Sequence, residues 1–396
     1  MIIRSAKWLA GTLMRLIPEP ILGRILPGHY KFDPADVPPP PAAPSTPVRL
    51  YIGPVNYAGQ GWQWARAAEN HLAGVGAVNM VARTGKGFGH PADNPVPVGV
   101  WAASRSWQRS QFEAVTSGFT HVIVESVRQP FGAMLDESVQ RQVSRLVDSG
   151  LSVIMLCHGT DIRLPSRHID LNPVSPFLDS LAPVIGVLER TARANRAVLD
   201  GLGLPVLVST PDLLLDVPSA DWLPVVVEVD RWQSDSVPLE RKRPIVVHAP
   251  SHGSTKGSEL IDPLLQRLDE EQLISYRRIS GVPYSGVFEA YRDADIVLDQ
   301  FRIGDYGVAA CEAMAAGRVV VAQVSAHSRN VVADRTGLEL PIVESTTDAL
   351  EETLVGILHD RGHYQEVARA GTLFAAGAHD GRRSAEVLRP YLAVGN

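Results

Sequence analysis

Residues 299–322 read DQFRIGDYGVAACEAMAAGRVVVA, and this stretch decides the fold. It predicts a strand that ends at Asp299, a glycine-containing turn, and a helix of small residues that starts near Gly307. Gly317 is expected to end that helix before another strand begins. In α/β folds such a turn points backbone N–H groups at the crevice beyond the strand ends, where phosphorylated ligands bind. Glu312 lies inside the helix, where its carboxylate could accept hydrogen bonds from ribose hydroxyls.

The alternative for this stretch is a small-residue helix that packs on a sheet and leaves Glu312 exposed. From Val48 onward, however, short β-branched runs alternate with longer helical stretches along most of the chain. This alternation is typical of parallel α/β units. A length of 396 residues also favours two domains, because single cores stop growing at roughly 250–300 residues.

The predicted fold class is therefore α/β, with two Rossmann-like, doubly wound domains that face a cleft. The predicted parts are a basic amphipathic segment (1–36), a proline-rich linker (37–47), a first domain (48–215), a second domain (216–375) and a C-terminal helix (376–396). Residues 379–388 of the last part resemble the terminal helix of a two-domain family, which implies that this helix crosses back to the first domain. The hinge is expected near 212–221.

The strands and helices follow the same pattern. In the first half, strands are expected near 48–53, 77–83, 121–125, 152–157, 183–188 and 206–210, and helices near 61–72, 136–148 and 189–200. In the second half, strands are expected near 245–249, 273–279, 295–299 and 318–323, and helices near 258–268, 285–291 and 308–316. The tail from Thr346 is expected to be helical, with a break at 371–381.

The composition argues against several classes of protein. A net charge of −6 and a pI near 6.1 do not suit a nucleic-acid binder. The two cysteines, Cys157 and Cys311, lie in apolar runs and predict neither a disulfide framework nor a zinc cluster. Since no apolar run approaches the roughly 20 residues that span a bilayer, we expect a cytoplasmic protein.

Three further stretches carry candidate site residues. The first, HAPSHGSTKG at 248–257, ends a strand and opens a helix. Lys256 stands at that helix start, where a cation is disfavoured unless it meets an anion. The alternative is an ordinary solvated lysine.

The second stretch, CHGTDIR at 157–163, follows a very apolar strand and offers an imidazole, a carboxylate and a guanidinium at a strand end. His158 could relay protons there. The alternative is that Asp161 caps a turn and His158 is an ordinary loop residue. The third stretch, NYAGQGW at 56–62, carries Gly59 and Gly61 but lacks the third glycine of a dinucleotide fingerprint, and an ordinary tight turn is the alternative.

The block at 299–322 resembles the signature of the family 4 type retaining glycosyltransferases. That signature is Glu-Gly-Phe-Gly, four residues, then Glu-Ala-Met-Ala-x-Gly-x-Pro-Val-Val-Ala, and Tyr306-Gly307 and Glu312-Ala-Met-Ala-Ala-Gly317 match it. The resemblance implies a GT-B fold in which Glu312 holds the donor ribose and Gly307 belongs to the donor site. The first family glutamate, which contacts the sugar, falls on Gly304, and the adjacent Asp305 is its expected substitute.

The same resemblance implies roles for the other stretches. Lys256 resembles the lysine that binds the donor diphosphate. A family arginine falls on Ser251, and His252 beside it is expected to serve instead. A histidine in the loop at 157–163 faces the transferred sugar in that family, so His158 is the expected catalytic residue. Asp161 is a second catalytic candidate, and three residues are expected on the acceptor and diphosphate side: Gly59, Gly61 and Arg163.

The implied activity is sugar transfer from a nucleoside-diphosphate sugar, bound by the second domain, to a glycan, lipid-linked or small-molecule acceptor on the first. Transfer is expected with retention, and without a metal or cofactor, because Lys256, His252 and helix dipoles can neutralise the diphosphate. Two alternatives remain. One is a nucleotide-sugar epimerase on the same fold, and the other is a non-catalytic nucleotide-sugar binder.

Residues 2–17 predict a basic amphipathic helix, with Arg4, Lys7 and Arg15 on one face and an apolar stripe opposite. Such a helix can lie on an anionic membrane surface. The alternative is that the stripe packs on the catalytic domains or on a second subunit.

Overall fold

The computed structural model describes residues 17–84, 89–134, 137–250 and 253–393. The predicted helix at 2–17 therefore lies outside the described residues apart from Ile17, and so does His252. The first described helix, Glu19–Ile25, is fixed by the Glu19 carboxylate, which accepts the backbone N–H of Ser106 at 3.1 Å.

The first part of the described chain forms a seven-stranded sheet in the order β3-β2-β1-β4-β5-β6-β7. Its strands are β1 (Val48–Gly53), β2 (Val75–Arg83), β3 (Asn94–Pro97), β4 (His121–Glu125), β5 (Ser152–Cys157), β6 (Val206–Val208) and β7 (Asp221–Trp222). Strand β1 pairs in parallel with both β2 and β4. All of β4 and all but the first residue of β5 are buried, as expected for inner parallel strands. These continuous apolar runs are why the predicted bounds of β1, β4 and β5 are confirmed.

A second sheet of five parallel strands follows, in the order β12-β11-β10-β8-β9 for the described residues. Its strands are β8 (Ile245–His248), β9 (Ser275–Arg278), β10 (Ile296–Leu298), β11 (Val319–Ala322) and β12 (Val343–Glu344). Leu298 lies opposite His248 in the pairing of β10 with β8. The chain segments that leave these two strands therefore start side by side.

Helices connect the strands, as the α/β prediction required. In the first half they are Gln60–His71, Val98–Ala103, Arg105–Gly118, Val139–Asp148, Pro165–Leu171 and Ile185–Leu202. In the second half they are Val229–Trp232, Gly253–Lys256, Ser258–Glu270, Tyr284–Asp293, Val308–Ala315, Ala326–Thr336, Leu350–His359, Arg361–Ala378 and Arg382–Leu388. Short helical turns lie at Gly28–Tyr30, Pro34–Asp36, Tyr57–Gly59, Pro176–Leu178, Ala182–Val184 and Pro211–Leu215.

The strand predicted at 183–188 is wrong. Ala182–Val184 is a helical turn, and the helix Ile185–Leu202 begins directly after it. The β-branched run there suggested a buried strand, yet the side chains of Val184 and Val187 are 44% and 55% exposed. Val184 lies in the turn and Val187 on the outside of the helix, where propensity alone does not decide the element.

The break predicted at 371–381 was placed too early in the chain. The helix Arg361–Ala378 runs through Gly371 and ends only before His379. A Cβ on Gly371 would lie 3.3 Å from the Met314 side chain, so the glycine permits close helix packing rather than a stop. Strands β3, β7 and β12 were not predicted, since runs of two to four residues carry little periodicity.

The described chain divides into two compact units. The first comprises the described residues up to Ala65 together with Gly74–Ile154, and the second comprises Arg66–Ala73 and the described residues from Met155 onward. The domain limits expected from the sequence stay predictions. Residues 37–47 contain neither helix nor strand, as a proline run requires, and a Cβ on Gly76 would lie 2.4 Å from Pro44. The proline run therefore packs closely against β2 of the same unit.

Candidate functional site

Lys256 and Asp299 meet where β8 and β10 end. The Lys256 ammonium group donates a hydrogen bond to one carboxylate oxygen of Asp299. The Asp299 side chain is 1% exposed and that of Lys256 20% exposed. The sequence predicted that Lys256 meets an anion, and Asp299 provides one within the protein. Because an ammonium group carries three donors, Lys256 can hold Asp299 and a ligand oxygen at once.

Gly307 links this ion pair to the helix Val308–Ala315. Its backbone N–H donates to the second carboxylate oxygen of Asp299 at 3.4 Å. Gly307 is the N-cap of that helix and provides no side-chain cap. A Cβ added at Gly307 would meet nothing within 4 Å, so the space beside the helix start is open. The N–H groups of the first turn of this helix have no side-chain cap, and such groups can bind an anion.

Glu312 lies in the same helix and is only 5% exposed. The alternative in which Glu312 points into solvent is therefore excluded. The Tyr284 hydroxyl donates to the Glu312 carboxylate. Burial raises the pKa of Glu312 to about 8, although the Tyr284 hydrogen bond and the Lys256 charge oppose that rise. Glu312, Lys256 and Asp299 therefore interact electrostatically. A buried carboxylate beside a lysine and free N–H groups can bind a ribose and a diphosphate.

Asp305 belongs to a different, fully internal network. Its carboxyl group accepts the backbone N–H groups of Tyr306 at 2.7 Å and of Asp212 at 2.9 Å. Arg163 Nε donates to Asp212 Oδ2 at 2.9 Å. Burial and then the Asp212 charge raise the pKa of Asp305 well above its usual range. Burial opposes ionisation of Asp212, but the Arg163 charge and the hydrogen bonds from Asp305, Thr210 and Arg163 together lower that pKa. Contacts of Asp305 and Arg163 with substrate stay predictions.

A cavity of about 530 Å³ lies in the second unit, next to this network. Arg163, Asp212 and Gly304 contribute to its lining. Gly304 has φ +76°, a left-handed conformation that residues with a Cβ rarely adopt. The backbone at position 304 therefore favours glycine, whereas the family that this block resembles has glutamate there.

The loop after β5 is held together by Asp161. Its carboxylate accepts the backbone N–H of His158 at 3.0 Å and that of Gly159 at 2.6 Å. Asn195 Nδ2 donates to the Asp161 carbonyl at 2.8 Å. The turn-capping alternative is therefore what the geometry shows for Asp161. This capping fixes the loop that carries His158, whose side chain is half-buried.

Gly59 and Gly61 lie in the first unit, whereas the donor candidates Lys256, Gly307 and Glu312 belong to the second. A Cβ on Gly61 would lie 2.6 Å from Asn79 Nδ2 and 3.3 Å from Glu125 Oε1. A Cβ on Gly59 would lie 3.2 Å from His90 Nδ1. Both glycines thus allow their loop to pack on polar side chains, and a role in binding acceptor or diphosphate stays a prediction.

Sequence reasoning missed several of these partners. Asp212 and Glu125 both stand at or just after a strand end, which is a usable signal. Tyr284 gave no signal, because its contact with Glu312 depends on how two distant segments pack. Within residues 17–84, 89–134, 137–250 and 253–393, no group of three or more His, Cys, Asp or Glu could hold a metal ion. No helix of this part is long and apolar enough to cross a membrane.

Comparisons with known proteins give evidence on the fold. No family model matches the sequence, and no curated protein matches it. Among solved structures, Anabaena HepE in complex with UDP and glucose is 11% identical, with a TM-score of 0.55 over 87% of this chain and 98% of that one. Sucrose-phosphate synthase from Thermosynechococcus elongatus is 12% identical, with a TM-score of 0.52 over 86% and 97%.

The UDP-GlcNAc 2-epimerase from Neisseria meningitidis, bound to UDP-GlcNAc, is 12% identical, with a TM-score of 0.50 over 87% and 99%. At such identities the likeness concerns the fold alone. The chain therefore has an α/β fold with two parallel sheets, similar to solved glycosyltransferases of the GT-B type.

Proposed function

We propose that this protein is a glycosyltransferase that moves a sugar from a nucleoside-diphosphate sugar to a glycan, lipid-linked or small-molecule acceptor. One observation carries the proposal. Lys256, assigned to the donor from one stretch of the sequence, and Gly307 and Glu312, assigned from another, lie around Asp299 at the same edge of the second sheet. The similarity to glycosyltransferase structures supports the same function.

The donor would bind with its diphosphate at Lys256 and at the N–H groups of the helix Val308–Ala315. Its ribose hydroxyls would donate to Glu312. The lysine and the helix start supply the positive partners that a leaving diphosphate needs, so the proposed reaction requires no protein-bound metal. Retention of configuration rests on the resemblance of the 299–322 block.

His158 is the proposed catalytic residue. It follows a buried strand end and sits in a loop fixed by Asp161, so its backbone position is well defined. A positioned imidazole can exchange protons near neutral pH. Asp161 would act by holding this loop rather than by touching substrate.

One segment outside this site completes the proposal. We place the protein in the cytoplasm, with residues 2–17 contacting an anionic membrane. Sedimentation with anionic and neutral liposomes tests this, comparing the full chain with one that starts at Pro18 and so keeps the packed helix Glu19–Ile25. Loss of binding on truncation supports it; a full chain that stays in solution with both lipids contradicts it.

The epimerase is the second candidate, because an epimerase is among the similar structures. A panel of nucleoside-diphosphate sugars with mixed acceptors, followed by NMR and mass spectrometry, separates the candidates. Transfer releases a nucleoside diphosphate and a larger acceptor, whereas epimerisation leaves the diphosphate bond intact. The matched control is the Lys256→Ala, Glu312→Gln double variant. Binding without either reaction would identify a non-catalytic binder.

A further inference from the structure

Arg278 is the last residue of β9 and lies at the edge of the second sheet that carries the proposed donor site. Strand β9 pairs in parallel with β8, and Arg278 lies opposite His248, the last residue of β8. The segment that leads to Lys256 leaves β8 at this point. Strand β10 pairs with the other side of β8. Arg278 therefore stands beside the start of that segment, on the side opposite to Asp299.

The Arg278 guanidinium group lies against the helix that carries Lys256. A Cβ added at Gly253, the first residue of the helix Gly253–Lys256, would lie 3.3 Å from Arg278 Nη2. Glycine at this position thus leaves the space that the guanidinium group occupies. The helix contacts Arg278 at its first residue and Asp299 at its last. These two residues are about 4.5 Å apart along the helix axis, so Arg278 lies within one helical turn of Lys256.

Asp262 holds Arg278 in this position. Its two carboxylate oxygens accept the Tyr276 hydroxyl at 2.5 Å and an N–H of the Arg278 guanidinium group. The Asp262 side chain is 10% exposed, whereas that of Arg278 is 46% exposed. Because a guanidinium group carries five N–H donors, Arg278 can keep its bond to Asp262 and donate to a ligand at once.

Beside Arg278 in β9 stands a second arginine, Arg277, which faces the opposite side of the sheet because side chains alternate along a strand. It donates to Asp293 at 2.7 Å, in the helix Tyr284–Asp293. Its side chain is 42% exposed, close to the value for Arg278. Two arginines of similar exposure, each paired with an aspartate, thus differ in the face of the sheet that they serve.

A diphosphate offers more hydrogen-bond acceptors than Lys256 has donors. Its terminal phosphate alone has three strong acceptor oxygens. An ammonium group has three donors, and Lys256 uses one of them on Asp299. The N–H groups of the helix Val308–Ala315 supply further donors from the side of β10, and Arg278 supplies them from the side of β9.

We infer that Arg278 is a second diphosphate-binding residue of the donor site, beside Lys256. One edge of its guanidinium group stays on Asp262, and the remaining N–H groups donate to phosphate oxygens in the planar two-bond geometry that arginine offers to phosphate. The inference rests on the proposed function, since it adds a contact to the same donor. No motif at 248–257 or 299–322 includes this residue.

Calorimetric titration of the full chain tests the inference. The probes are inorganic pyrophosphate, the nucleosides uridine, guanosine and adenosine, and the diphosphates of these nucleosides. Arg278→Gln should weaken binding of pyrophosphate and of the nucleoside diphosphate that binds roughly 10- to 100-fold, because it removes charge-assisted hydrogen bonds. Binding of the bare nucleoside should stay unchanged. Arg278→Lys keeps the charge and loses the planar geometry, so its loss should be intermediate.

Arg277→Gln is the matched control and should bind every probe as the wild type does. Thermal unfolding without ligand checks that each variant is folded; Tyr276 still donates to Asp262 in Arg278→Gln. If that variant is unfolded, Arg278→Lys decides by the same comparison. The inference is overturned if phosphate ligands bind the Arg278 variants as tightly as the wild type. It is also overturned if Arg277→Gln shows the same loss, or if bare nucleosides lose affinity equally.

Sugar transfer is measured separately on the same proteins. A phosphate-selective loss in Arg278→Gln, in a protein that transfers no sugar, would contradict the proposed function and leave Arg278 as an anion-binding residue. Sugar transfer by the wild type together with unchanged diphosphate affinity in Arg278→Gln would remove Arg278 from the site and leave the proposed function intact. A wild type that binds neither pyrophosphate nor any nucleoside diphosphate would overturn both.

Discussion

The backbone N–H of Asp212 donates to the carboxyl group of Asp305 over 2.9 Å, although both residues are acids and both are buried. Arg163 makes this arrangement stable by pairing with Asp212, while Asp305 keeps its proton because burial and the Asp212 charge raise its pKa. The loop at 299–307 is thus fixed to the residues that follow β6.

This network predicts unequal effects of two similar substitutions. Asp305→Asn replaces a neutral acid by a neutral amide and should change the free energy of unfolding little. Asp212→Asn leaves the buried Arg163 without its counter-charge and should cost about 3–5 kcal/mol. Urea denaturation at pH 7 measures both values. Equal losses, or a larger loss for Asp305→Asn, would contradict the assigned protonation states.

Glu312 predicts a pH dependence of stability. Its pKa is near 4.5 in the unfolded chain and about 8 in the folded protein, because burial disfavours the charged form. Between these values the unfolded chain releases a proton that the folded protein keeps. The contribution of Glu312 to stability therefore falls as the pH rises from about 4.5 to about 8.

Melting temperatures of the wild type and Glu312→Gln at pH 5 and pH 8.5 test this. The variant cannot ionise, and its amide oxygen can still accept the Tyr284 hydroxyl. Its melting temperature relative to the wild type should increase with pH. A difference that stays constant across this range would show that Glu312 titrates alike in both states.

Part of the fold could be predicted from sequence, because inner parallel strands are continuous apolar runs with glycine or polar residues at their ends. The bounds of β4 and β5 and the helix around Glu312 follow from that pattern. The run at 183–188 has the same composition but lies on an exposed helix, and only tertiary packing distinguishes the two.

The candidate site divides in the same way. Lys256 and Glu312 could be assigned from local sequence, because each occupies a set position after a strand. The roles of Asp299, Asp212 and Tyr284 as their partners could not, since each contact joins residues on different segments. The sequence also could not show that Asp305 is internally hydrogen-bonded.

Lys256→Ala should weaken binding of nucleoside diphosphates far more than binding of the bare nucleosides. The reason is that an ammonium group contributes a charge-assisted hydrogen bond to phosphate, worth about 1.5–3 kcal/mol. Calorimetric titration of both ligand types measures the difference, with the exposed Lys242→Ala as the matched control. Equal losses for both ligands would mean that Lys256 does not contact phosphate.

His158→Ala should lower the transfer rate by roughly a hundredfold, within the range of positioned acid–base groups, and should leave donor affinity nearly unchanged. Steady-state kinetics with separate donor and acceptor titrations measure this. A change confined to donor binding would move His158 out of the catalytic role, and wild-type kinetics would remove it from the site.

Thermal unfolding with a panel of nucleoside diphosphates and their sugars tests donor binding most directly. A ligand at about one hundred times its dissociation constant should stabilise the wild type by roughly 2.7 kcal/mol. At the same concentration and at pH 8.5, where Glu312 is mainly ionised, Glu312→Gln should lose half or more of that stabilisation, because loss of a charge-assisted hydrogen bond lowers its affinity by about 1.5–3 kcal/mol. If no member of the panel stabilises the wild type, or if the variant is stabilised equally, the proposed donor site is wrong.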